Sequence, residues 1–344
     1  MAAAATELEE KLRARASAPE LPILRLQRWS RLPSWAFGSL CGLLVACSQF
    51  SPALTTQLNA GLVNELLASA LFFGTSIGIL TGFSKPVLSG AAQDIRQLSG
   101  VLPWSASSLA TASSALSRLA SATVWRACML GSALGIGHSF LLGNHLSPLE
   151  FATAQFGATI LLWIAMFLTV PPLIINAALF SSLGQMARPD LLRPSRHAAF
   201  GTAALRPALL MTGLLSAYSL LFLGGDNPLD GPVVIGVIAG VVSLIGIVAL
   251  PLRGIRRRIR AERQQTLRAL DARLDRITQG DIAGADADTL FQLDAILDMR
   301  ERVARAPAWP FDVHALKRML FYTVLPPLTW AAAAIVEMMI DSLL

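Results

Sequence analysis

Glu337 and Asp341 sit four residues apart near the end of an apolar stretch, so a helix carries both carboxylates on one face. Ionisable groups in a membrane segment are costly and face water, a partner or a pore. Repeated around an oligomer axis, such a pair makes two stacked acidic rings that attract and select cations. The same pair also fits plain solvation at a membrane interface. Pro326-Pro327 precedes it on the same stretch and would bend or break a helix there, as a gate hinge or as a packing kink. Pro171-Pro172 does the same in an earlier stretch, beside Asn176. Asn176 and His138 are the polar residues placed to meet a ligand or solute in a cleft open to the acidic side; either also fits a packed, hydrogen-bonded role.

Other chemistry finds little support. There is no HExxH or Walker A signature and no paired Asp-Asp, so an enzyme is not expected, nor a cofactor. His138, His145, His197 and His314 are scattered, and the carboxylates around Asp281, Asp286 and Asp288 lack EF-hand spacing, so no metal site is expected. Cys41, Cys47 and Cys128 fall within apolar stretches and are expected to be small buried residues.

The elements that would position these groups are membrane spans. The chain is 54% hydrophobic and 15% charged, with a mean hydropathy of +0.56. That is far from a soluble domain. A spanning helix needs about 20 apolar residues. Seven stretches qualify: 35–54, 62–83, 122–142, 154–180, 207–223, 233–252 and 319–343. The intervening segments alternate in charge. All 28 Lys and Arg lie on one side of the implied topology, while the short segments 55–61, 143–153 and 224–232 hold none. Cytoplasmic loops retain Lys and Arg, which predicts the N-terminus inside and the C-terminus outside. The other side carries Glu65, Glu150, Asp226, Asp230, Glu337 and Asp341. The sequence pI of about 9.9 then reflects topology and anionic headgroups, not nucleic acid. Glu7, Glu9 and Glu10 ahead of any apolar run argue against a cleaved signal, and the richness in Ala, Leu and Arg points to a bacterial inner membrane.

The expected organisation is all-α: residues 1–33 cytoplasmic and interfacial, 34–252 carrying spans one to six, 253–312 a cytoplasmic helical hairpin, and 313–344 the last span. Residues 7–32 predict a charged helix and an interfacial stretch. The second half of 84–121 is expected to extend span three inward. In the hairpin, Leu267, Leu270, Leu274 and Ile277 form one apolar seam, and Leu290, Leu293, Leu297 and Val303 the other, with Asp288 as a cap. Asp312 follows Pro310 as the N-cap of the last helix. Glycine stripes 74/78/82, 131/135 and 236/240 predict close helix contacts.

This layout resembles the insect-chemoreceptor-like superfamily of seven-transmembrane channels. The parts that carry the resemblance are the hairpin 253–306, the Asp312-capped helix and the Pro326-Pro327 break. The insect signature of the last helix, Thr-Tyr and later Gln-Phe, is absent; Phe321-Tyr322-Thr323 stands there instead. The resemblance implies a homotetramer with the final helix lining a cation pore. The expected function is a homo-oligomeric, ligand-gated cation channel, with the bilayer, other copies of the chain and a small ligand or inorganic cation as partners. A small-solute carrier with a site at Asn176, and a non-transporting sensor or scaffold acting through the hairpin, are the alternatives.

Overall fold

The computed structural model describes residues 2–51, 60–141, 149–224, 231–279 and 287–307, together with 317 and 321. These residues are helical almost throughout, and no strand is found among them. In chain order the helices are α1 (Ala2–Ala16), α2 (Pro22–Ser30), α3 (Ser34–Gln49), α4 (Ala60–Gln97), α5 (Ala106–Ala115), α6 (Ser121–Leu141), α7 (Leu149–Met186), α8 (Ala198–Ala217), α9 (Gly231–Thr278) and α10 (Ala287–Arg305).

Four segments, built on α4, α7, α8 and α9, are long and apolar enough to cross a membrane, or five if the bent pair α2–α3 counts as one span. Alone, α3 has 16 residues, about 24 Å of rise, short of the roughly 30 Å hydrocarbon layer. Helix α6 occupies the expected third span, but Arg126, His138 and its serines lower its hydropathy. Apart from Phe321, the expected seventh stretch lies outside the described residues.

Two of the expected boundaries differ. Residues 84–121 do not lengthen the third span from within. Instead α4 runs on through Pro86 to Gln97, and α5 is a separate helix capped by the Ser105 hydroxyl, which accepts from the Ser108 amide. The break before α6 has a physical cause. The Leu21 amide donates to the Ser117 carbonyl at 3.0 Å and the Leu119 amide to the Pro19 carbonyl at 3.1 Å, so 117–119 pair with the α1–α2 connection and cannot join a helix. Asp288 falls inside the first turn of α10, not ahead of it, where it complements the helix dipole.

Packing divides into two layers. The first is built by Phe72, Phe73, Ile77 and Leu80 of α4 with Leu162 and Leu173 of α7, Met211 and Leu214 of α8, and Leu244 and Ile247 of α9. Its outer surface is apolar as well: Leu43, Leu44, Met129, Leu141, Val242 and Ile245 are exposed, a face suited to acyl chains. Of the cysteines expected to be buried, Cys41 and Cys128 are half-buried and Cys47 is exposed. Glycines set the helix spacing. Gly38 and Gly42 of α3 lie against Gly74, Gly78 and Gly82 of α4, where a Cβ on Gly42 would stand 2.4 Å from the Gly74 carbonyl oxygen. Gly131 and Gly135 of α6 meet Ile164 and Ile160 of α7 in the same way.

The second layer gathers the other ends of the helices. Ile95 of α4, Leu109 and Leu116 beside α5, Phe180 and Leu183 of α7, Phe200 of α8 and Ile255 of α9 enclose it, and Leu12 of α1 closes it. The Phe180 and Phe200 rings meet edge-on at 6.3 Å. Beyond it α9 continues, and α10 returns antiparallel along it. Arg300 Nε meets Asp271 Oδ1 at 2.6 Å, the Arg263 guanidinium donates to the Ala304 carbonyl, and Leu270 and Val303 are buried.

Candidate functional site

The most densely networked polar groups lie in the second layer, in two knots. The first joins α4 to α8. Asp94 is 1% exposed among Ala91 and Ile95, a position where a lone carboxylate is costly. It is satisfied from both sides: the Thr202 hydroxyl donates to Oδ1 at 2.8 Å, and the Arg206 guanidinium donates to Oδ2. Thr202 and Arg206 are one turn apart on α8, so a single helix face offers both donors. Room for the arginine comes from Gly90, one turn before Asp94, where a Cβ would stand 2.7 Å from Arg206 Cδ and Nε. Arg206 remains about a third exposed at its side chain, at 33%.

The second knot joins α1, the α5–α6 connection and α7. Arg15 Nε donates to the Arg118 carbonyl and Nη2 to Asn176 Oδ1, both at 2.9 Å. Asn176 Nδ2 in turn donates to the Leu116 carbonyl at 3.2 Å. Both ends of the Asn176 amide are thus engaged by protein. The Arg118 and Leu116 carbonyls and the Asn176 amide oxygen that accept from Arg15 are all neutral, and burial pushes the guanidinium down to about 10. One turn or more earlier on α1, Glu9 Oε1 accepts from the Ser108 hydroxyl of α5 at 2.7 Å. That hydrogen bond, with the one from Arg13, holds the Glu9 carboxyl below its ordinary range.

His138 is elsewhere. Its Nδ1 accepts from Trp163 Nε1 at 3.0 Å, between α6 and α7, with the rings perpendicular. Asn176 lies 13 residues along α7 from Trp163, about 20 Å at the helical rise. The two residues expected to share a ligand cleft are therefore not brought together. Glu337, Asp341, Pro326 and Pro327 lie outside the described residues. Pro171 and Pro172 fall inside α7, which continues through both. Among the described residues no group of three or more His, Cys, Asp or Glu is placed to hold a metal ion.

Sequence reasoning missed Asp94, Arg206 and Arg15. One signal was present. Asp94 and Arg206 each lie close to a glycine or threonine one turn away on a mainly apolar helix, the pattern of a charge that must be accommodated by packing. No family model matches the chain, and no curated protein or solved structure matches it.

Proposed function

We propose that this chain is a homotetrameric cation channel of a bacterial inner membrane, opened by a small ligand, with its last apolar stretch lining the pore. Its apolar helices are compatible with an integral membrane protein. The observation that carries the rest is the course of the chain after the basic run Arg256-Arg257-Arg258. Helix α9 has 48 residues, a rise of about 72 Å, more than twice the hydrocarbon thickness. Its basic half projects from the bundle, and α10 brings the chain back beside Arg263. Residue 307 therefore stands near the basic face, ready for the stretch 319–343 to enter from that side. Glu337 and Asp341 then finish at the opposite, acidic face, as a cation-attracting mouth requires. The order of parts is that of the insect-chemoreceptor-like channels, which the layout resembles.

Asn176 counts against the carrier alternative, because Arg15 and the Leu116 carbonyl already use the polar groups a midplane solute would need. The scaffold reading has one observation in its favour. Leu290, Phe291, Leu297 and Met299 of α10 are exposed, Phe291 at 75%.

Ion flux from liposomes tests the proposal. The wild-type chain passes small cations, and Glu337→Gln/Asp341→Asn lowers the cation preference, most at low ionic strength where external charge is least screened. A reconstituted chain that passes no ion, or particles without a symmetry axis, would leave the scaffold reading in its place.

A further inference from the structure

Helix α2 has three faces, and two of them find no place inside this chain. At 100° per residue, Ile23, Leu24 and Gln27 share one side. That side packs inward: Leu24 and Gln27 are buried, and Ile23 packs against the first core layer. Pro22, Leu26 and Trp29 share a second side, and it is bare, with Trp29 82% and Leu26 52% exposed. Arg25 and Arg28 occupy the third side, and Arg31 caps the helix with a left-handed backbone, φ 57°. An isolated apolar face beside a basic face on a short helix is the pattern of a segment lying in a membrane interface.

The backbone supplies the second observation. Helix α2 turns by 102° into α3. If α3 runs near the membrane normal, α2 lies close to the plane of the bilayer. Its height is fixed too. The Leu21 amide is tied to Ser117, and α6 starts at Ser121 with Trp125, 70% exposed, one turn in, next to Arg126. Trp35 at the start of α3 is 73% exposed. Exposed tryptophans near the starts of α3 and α6 and on the in-plane helix mark one level, that of an aromatic belt at the headgroups.

We infer that α2 is an in-plane anchor whose basic edge binds anionic phospholipid headgroups in the leaflet on the N-terminal side. Charge complementarity selects the lipid. Glu20 pairs with Arg28, so residues 20–31 carry three arginines against one glutamate, a net +2. Arginines at an anionic surface contribute about fivefold each to binding. Trp29, Leu26 and Pro22 then occupy the boundary between headgroups and acyl chains. The inference rests on the membrane reading alone and stands whether or not the chain conducts ions.

The test uses the full chain in phosphatidylcholine vesicles with or without phosphatidylglycerol. Carbonate-resistant retention in the vesicles reports insertion separately. Lipids brominated high on the acyl chain quench the emission of Trp29 together with that of Trp35 and Trp125, and Trp29→Phe removes the share that belongs to Trp29. The variant R25Q/R28Q/R31Q retains at least fivefold less phosphatidylglycerol on purification, while the triple Lys variant retains it as wild type does. The unfolding midpoint of the triple Gln variant shifts only slightly, because the three side chains are exposed and the one ion pair lost, Arg28 with Glu20, lies at the surface. Emission from Trp29 that is quenched by aqueous iodide but not by brominated lipid would overturn the inference. So would phosphatidylglycerol retention that survives the triple Gln change in an inserted protein.

Discussion

The two layers of this molecule solve the same packing problem with different chemistry. In the apolar layer, helices are held by backbone approach at glycines, and several buried hydroxyls have no hydrogen-bond partner among the described residues: Ser76 on α4, Thr169 on α7 and Thr212 on α8. In the polar layer, Asp94, Asn176 and Arg15 are each engaged by groups more than 50 residues away in sequence. The first arrangement suits surroundings in which apolar contact between helices brings no hydrophobic gain, so close van der Waals approach must supply the association. The second suits the water-facing end, where charged side chains are cheap to place but must be matched once buried. The difference teaches that the chain's polar specificity is concentrated at its basic end, and that α1 is part of that end and not a loose tail.

Removing one partner of the buried pair should separate the layers most strongly. Asp94→Leu leaves Arg206 facing Thr202 without a counter-charge and should lower stability by about 3 kcal/mol. Adding Arg206→Leu should recover most of that loss. Thermal unfolding in detergent measures both; equal losses in the single and double variants would remove the ion pair from the account.

Next comes the crossing of α7 and α9. A Cβ on Gly254 would lie 1.7 Å from the Ser181 carbonyl oxygen, and one on Gly184 2.4 Å from the Ile255 nitrogen. Gly254→Ala should therefore cost about 1–3 kcal/mol by forcing the helices apart. The same exchange at Gly137, which meets nothing within 4 Å, should carry no such cost and gain up to about 1 kcal/mol from helix propensity.

The α1 latch is smaller again. Arg15→Met removes the donors to Asn176 and Arg118, for a loss of about 1 kcal/mol. Hydrogen exchange should rise in α1 and α5 and stay unchanged in α3 and α4. Uniform exchange across all four helices would show that α1 does not form a separate contact.

The smallest effect is electrostatic. Glu9 is held below its ordinary value of 4.5 by the hydrogen bonds from Ser108 and Arg13. A depressed carboxyl stabilises the folded state above its unfolded pKa, and that contribution fades as pH falls through the folded value. Exchange protection of α1 should therefore decline below about pH 4.5, and Ser108→Ala should flatten the decline.

Local patterns were legible in the sequence, and distant pairings were not. Gly74, Gly78 and Gly82 announce a close contact because the repeat of four marks one helix face, and Leu267, Leu270 and Leu274 announce the hairpin seam for the same reason. Gly184 and Gly254 carry no repeat, so nothing local separates them from a helix-weakening glycine. Asp94 finds Arg206 across 112 residues and Arg15 finds Asn176 across 161, and periodicity has no term for such encounters. The break before α6 was hidden likewise. Ser117–Ala120 have adequate helix propensity, and only pairing with Pro19 and Leu21 takes them out of a helix. Asn176 was legible as an unusual polar residue beside two prolines, but its partner, and hence its role, depended on α1.

The proposed pore requires the basic layer and the acidic ends to lie on opposite sides of a bilayer. The direct measurement is labelling of single cysteines by an impermeant maleimide in oriented vesicles, with Cys41, Cys47 and Cys128 replaced. A cysteine at Gln279, just past the end of α9, should react only from the cytoplasmic side, and one at Asp341 only from the outside. Reaction of both from the same side would contradict the topology, and with it the proposed pore.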